Sequence, residues 1–174
     1  MGTWNNADGL HVKFGTSEGV SGHNAGELNM LGPVHILELE VELSELTQTE
    51  TILNDVVMLP DNCQVVWVRT TTEVAAVTGT AIDVGTIAKD RTTEVDYNGL
   101  LAAFPTGNMN TVGETVRFTA VHTELASVTG TGAQIGTIIT QPCYISASMT
   151  DATAFTAGRI LIEVAYRAAA LAAN

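Results

Sequence analysis

In the run Ile36-Leu-Glu-Leu-Glu-Val-Glu-Leu43, apolar and acidic residues alternate without a break from Leu37 onward. Successive side chains of a strand point to opposite faces, so this pattern sends Leu37, Leu39, Val41 and Leu43 to one side and Glu38, Glu40 and Glu42 to the other. A helix would scatter both sets around its axis. The remaining sequence has the same character: short alternating or β-branched runs recur, and no long window carries a capped 3.6-residue apolar period. Strands are predicted over 10–14, 34–43, 51–58, 64–77, 81–88, 115–128, 133–140, 144–149 and 159–166. Turn signals separate them at Pro60-Asp61-Asn62, Thr78-Gly79, Asn98-Gly99, Pro105-Thr106-Gly107, Thr129-Gly130 and Ala157-Gly158. The predicted class is all-β, a β-sandwich or jelly-roll-like body.

The stretch from Thr72 to Ile87, TEVAAVTGTAIDVGTI, recurs 51 positions later from Thr123 to Ile138 as TELASVTGTGAQIGTI. In each copy a strand runs into a Thr-Gly turn and a second strand holding a lone glycine, Gly85 or Gly136, the mark of a bulge or a close backbone approach. Each copy therefore reads as a hairpin, and two related hairpins facing one another would make a pseudo-symmetric sandwich. Upstream, Trp67 aligns with Phe118, two large residues expected to point inward.

A chain of 174 residues fits one domain with a sizeable core. Only 15% of residues are charged against 45% hydrophobic, a balance that favours folding over disorder. With 19 acidic and 7 basic side chains, a formal net charge of -12 and a pI near 4.4, the molecule repels phosphate, so neither nucleic acid nor an anionic membrane is expected as a partner. The opening MGTWNNADGL lacks a basic leader with an apolar run, so a soluble protein made in a cytoplasm is expected. Residues 1–32 are glycine-rich and poor in aliphatics, reading as an N-terminal arm; 33–167 form the β body and 168–174 a short tail.

Few residue sets suggest chemistry. His11, His23, His35 and His122 stand singly, and Cys63 and Cys143 have neither CxxC nor CxxH around them, so no metal site or cofactor is expected and both cysteines read as buried thiols. Gly19-Val20-Ser21-Gly22-His23 lacks the last glycine of a nucleophile elbow. Gly130-Thr-Gly-Ala-Gln-Ile-Gly136 has the wrong spacing for a phosphate loop. With no placeable nucleophile, base and orienting group, the chain reads as non-enzymatic.

Two surfaces stand out instead. Between Lys13 and Arg69 there is no Lys or Arg, so nothing nearby in sequence neutralises Glu38, Glu40 and Glu42. That face reads either as a docking surface for a basic partner or cation, or as a solvated strand face that blocks edge-to-edge aggregation, the plainer reading. In Trp4-Asn-Asn-Ala-Asp-Gly-Leu-His-Val-Lys-Phe14, a turn-forming NNADG separates an aromatic anchor from the short strand LHVKF. Such an arm suits strand addition to a neighbour, with Trp4 filling a pocket, or else it is the first strand of the chain's own sheet.

The opening MGTWNNADGLHVKFG, the stretch from Asp83 to Ala102 (DVGTIAKDRTTEVDYNGLLA) and the closing FTAGRILIEVAY from Phe155 to Tyr166 resemble capsid decoration, or cement, proteins of tailed bacteriophages, with marine phages the nearest group. The resemblance implies a β-sandwich or jelly roll on the outer surface of the virion head, cementing neighbouring major capsid subunits, with no catalytic residues. It implies self-association, a homotrimer being favoured because local three-fold axes are common decoration sites. On this reading Trp4, Asn5, Asn6, Asp8, His11, Lys13 and Phe14 are the expected capsid-docking residues. Two rival readings are a glycan-binding module of a head or fibre, for which only Tyr97 and Tyr144 sit near loop-like segments, and another non-enzymatic tail or head-completion protein.

Overall fold

The computed structural model describes residues 3–5, 11–13, 34–119 and 130–168. The chain divides into two units, Met1–Pro33 and Val34–Asn174. In the first, β1 (Thr3–Asn5) and β2 (His11–Lys13) pair antiparallel, with Trp4 opposite Val12 and Asn5 opposite His11.

Among its described residues the second unit holds two five-stranded sheets, all of whose pairings are antiparallel. The first sheet contains β3 (His35–Glu42), β6 (Cys63–Thr78), β9 (Thr115–Thr119), β10 (Ile138–Ile139) and β12 (Phe155–Ala168). Its order runs β10, β6, β12, β3, and β9 also pairs with β6. The second contains β4 (Thr51–Ile52), β5 (Met58–Leu59), β7 (Ala81–Ala88), β8 (Glu94–Pro105) and β11 (Cys143–Met149), ordered β4, β11, β7, β8 with β5 on β11. Inward residues of both sheets make one core: Leu39, Val41, Val68, Phe118, Ile160, Ile162 and Val164 from the first; Ile82, Val84, Leu101, Phe104 and Ile145 from the second. This is the expected all-β sandwich.

Its connectivity departs from the expected hairpins. β6 and β7 lie in different sheets, so the turn at Thr78 and Gly79, both with positive φ (59° and 68°), carries the chain from one sheet to the other. The reason is occupancy: along the end of β6, one edge is bonded to β12 and the other to the 109–114 loop, through Ala76 N to Met109 O (2.8 Å) and Thr72 N to Glu114 O (2.9 Å). In the second copy, residues 120–129 lie outside the described residues, and 133–137 form turns where a strand was predicted. There Gln134 N donates to Gly99 O (2.8 Å) and Gly136 has φ 88°, leaving Ile138–Ile139 as the only strand residues of the predicted 133–140 segment. Over 81–87 and 132–138 similar sequences thus adopt different structures, and the first copy, split between two sheets, is not a hairpin.

Two predicted turns are bulges. Asn98-Gly99 lies inside β8, a strand the turn signal concealed: Val84 pairs with Leu101 and Thr86 with Asp96, so the residues between them on β8 loop out opposite Gly85. A Cβ on Gly85 would lie 2.1 Å from Asp96 O, which is why the bulge needs glycine there. Ala157-Gly158 sits inside β12 at another register shift, with Gly158 at φ 137°.

Candidate interaction face

The outer face of the first sheet is built by register. Across β3, β12, β6 and β9, Glu38 lies opposite Glu163, Glu163 opposite Arg69, and Arg69 opposite Arg117. The neighbouring row is Ile36, Ala165, Trp67 and Thr119. One face therefore carries a charge row that runs from acid at β3 to base at β9, beside a mostly apolar row.

Trp67 reaches this face through a bulge, which corrects the expected inward position. Val65 pairs with Tyr166 and Trp67 with Ala165, leaving Val66 extra, so Val65 and Val68 are both buried and Trp67 turns outward. Phe118, its counterpart in the alignment, stays in the core. The guanidinium carbons of Arg117 and Arg69 lie 4.7 and 5.7 Å from the centre of the Trp67 ring, both within cation–π reach.

The acidic face is partly neutralised from across the sheet, contrary to the reading from sequence neighbours. Arg159 on β12 donates from Nε to Glu42 Oε1 (2.5 Å) and pairs through Nη1 with Glu40 Oε1 (3.0 Å). Its guanidinium pKa is raised, first by the hydrogen bond to Glu42. Leu39 and Val41 are buried while Glu38 and Glu40 are exposed, as the alternation requires; Leu43 is buried in a short 3-10 turn after β3. Glu163 is buried and bonded to Arg69, whose Nη2 donates to Oε1 at 2.5 Å while Nε donates to Oε2. Arg167 is bonded instead to the neutral Gln64 Oε1 (2.7 Å). Thus four of the seven basic side chains, Arg69, Arg117, Arg159 and Arg167, gather on one sheet face. The clustering was legible only in β12, where Arg159, Glu163 and Arg167 share one phase of the alternation.

Trp4 and Asn5 fall in β1, and His11 and Lys13 in β2; Asn6, Asp8 and Phe14 lie outside the described residues. Pairing of β1 with β2 brings Trp4, Asn5, His11 and Lys13 together along one short ladder. Cys63 and Cys143 are buried free thiols. Tyr144 is buried beneath Arg91, whose guanidinium carbon lies 5.2 Å from its ring, and Tyr97 is exposed on the β8 bulge. Among the described residues no group of three or more His, Cys, Asp or Glu is placed to hold a metal, and no helix is long and apolar enough to cross a membrane.

No family model matches the chain, and no curated protein matches it by sequence. Its fold does match solved structures. A chain of the capsid of Ralstonia phage GP4 superposes with a TM-score of 0.54 at 15% identity, over 80% of this chain and 87% of that one. A chain of the cyanophage Pam1 capsid asymmetric unit gives 0.50 at 14% identity, over 87% and 93%. A chain of the acidic stable capsid of Helicobacter pylori bacteriophage KHP30 gives 0.48 at 12% identity, over 78% and 88%. At these identities the likeness is one of fold.

Proposed function

We propose that this chain is a structural protein of a bacteriophage virion that attaches to the outside of the assembled head and cements neighbouring major capsid subunits. The observation that carries the reading is the fold likeness to chains from the capsids of two phages, spanning most of this chain and most of theirs. The architecture suits such work: a β body with a continuous core, a second unit with its own strand pair, and a strongly acidic composition. Docking is assigned to the arm, through Trp4, Asn5, Asn6, Asp8, His11, Lys13 and Phe14, by main-chain pairing plus an aromatic anchor. Weak individual contacts suffice when one assembly, a trimer on this reading, touches several shell subunits, because the later contacts form at high effective concentration. A protein that binds the assembled lattice but not separated subunits then stabilises the lattice through that difference in affinity.

The test is to titrate purified protein onto undecorated heads. Saturable binding with hundreds of copies per particle and greater resistance to heat is expected; a copy number of about six or twelve would instead indicate a connector or completion protein, and no binding would end the proposal. Deleting residues 1–15 is expected to abolish attachment while circular dichroism of the β body is retained; attachment that survives the deletion removes the arm from the reading. Light scattering of the isolated chain checks the trimer.

A further inference from the structure

The charge row across the first sheet is balanced in its middle and unbalanced at its ends. Arg69 and Glu163 bond to each other, while the exposed Glu38 at the β3 end and the exposed Arg117 at the β9 end have no ion-pair partner among the described residues. Both ends are also strand edges: β3 pairs only with β12, and β9 only with β6, among the described residues. Among the described residues, the eight-residue β3 has one row of backbone groups without a strand partner, beside the half-exposed Val34 and Ile36. Joining two β3 edges antiparallel about Glu38 would set Glu38 against Glu38, and joining two β9 edges antiparallel about Arg117 would set Arg117 against Arg117. Like charges directly opposite one another across strands destabilise pairing. The remaining combination, β3 against β9, is complementary.

We infer that copies of this chain associate head to tail, the β3 edge of one copy meeting the β9 edge of the next, with Glu38 of the first facing Arg117 of the second. Trp67 holds the Arg117 guanidinium in a stacked position, which limits the freedom lost when the contact forms. A contact between two different patches closes into a ring when the rotation between copies divides a full turn. The inference stands apart from attachment to a head, since it concerns the isolated chain.

Sedimentation velocity of the full chain tests it. The wild type is expected to associate with rising concentration and to dissociate with added salt, as exposed charge pairs are screened. Glu38→Arg and Arg117→Glu are each expected to weaken association about tenfold or more, with melting curves like the wild type's. The double variant E38R/R117E restores the opposite pair and is expected to regain association. A wild type that stays monomeric throughout, single variants that associate as tightly as the wild type, or a folded double variant no better than either single one overturns the inference. If one single variant fails to fold, the other and the double variant still decide.

Discussion

Arg69 and Glu163 face each other across β6 and β12 in a two-pronged ion pair in which the Glu163 side chain is almost fully covered, 6% exposed, while the Arg69 side chain is 43% exposed. An ionised group taken out of water requires a partner, so the two residues have unequal dependence on each other. Arg69→Met is therefore expected to lower the thermal midpoint, and by more than Arg159→Met, whose partners Glu40 and Glu42 are 56% and 40% exposed and can rehydrate. The double variant R69M/E163L should recover much of the loss, because apolar replacement of a covered pair is often nearly neutral. Thermal melts of the variants check this; equal losses for Arg69→Met and Arg159→Met would contradict it.

Gly85→Ala is expected to destabilise the fold by about 1–3 kcal/mol or more, since the new Cβ would lie 2.1 Å from Asp96 O and 2.2 Å from Tyr97 C, both backbone atoms that cannot swing aside. Gly132→Ala should behave alike, meeting Gly99 O at 2.2 Å. At Gly107 the same substitution meets nothing within 4 Å and should stay within about 0.5 kcal/mol of wild type. Urea unfolding of the three variants makes the comparison.

Phe104 of β8 and Phe118 of β9 meet edge to face across the two sheets, with centroids 5.3 Å apart and planes at 88°. Both are fully buried, so Phe118→Ala is expected to cost about 3–5 kcal/mol. Chemical denaturation reads the loss directly, and a cost near zero would mean the sheets are held together elsewhere.

Two carboxylates should act oppositely on stability as pH changes. Glu50 is pushed above 4.5 by burial first and then by Glu94 and Asp96, and its Oε1 has no hydrogen-bond partner. The folded state binds this proton more tightly than the unfolded chain, so the cost is fully present above the raised pKa and fades as pH falls through it. Glu50→Gln is expected to stabilise at neutral pH, by at most about 1 kcal/mol because the residue is only half-buried, and to lose that advantage in acid. Asp90 is lowered from 3.8 to about 2, chiefly by the hydroxyl of Thr93 and then by the backbone amides of Thr93 and Thr92. Its contribution is present above 3.8 and disappears as pH falls through about 2, so Asp90→Ala should destabilise at neutral pH and become silent near the acid limit. Unfolding across a pH series checks both signs.

Burial pushes the Cys63 thiol up to about 11 and the Cys143 thiol up to about 12. Since the thiolate is the reacting species, alkylation of the native protein at neutral pH is expected to proceed only through unfolding and to keep pace with the global unfolding rate under mild denaturant. Rapid labelling of either cysteine in the native state would contradict this.

Alternation alone made β3 readable, with Leu39 and Val41 inward and Glu38 and Glu40 outward, because side-chain direction in a strand is a local property of period two. The same locality made the all-β class and most strand positions legible. Sequence could not say which strands would be neighbours: the Thr78-Gly79 turn looks like a hairpin turn, yet β6 has both edges occupied by segments distant in the chain. Nor could it show that Val66 would be inserted as a bulge, turning Trp67 outward beside Arg69 and Arg117. The row from Glu38 through Glu163 and Arg69 to Arg117 joins four strands drawn from across the chain. Each residue's face is set within its own strand, but which charges meet depends on strand order and register, and those emerge only when the two sheets close on a common core.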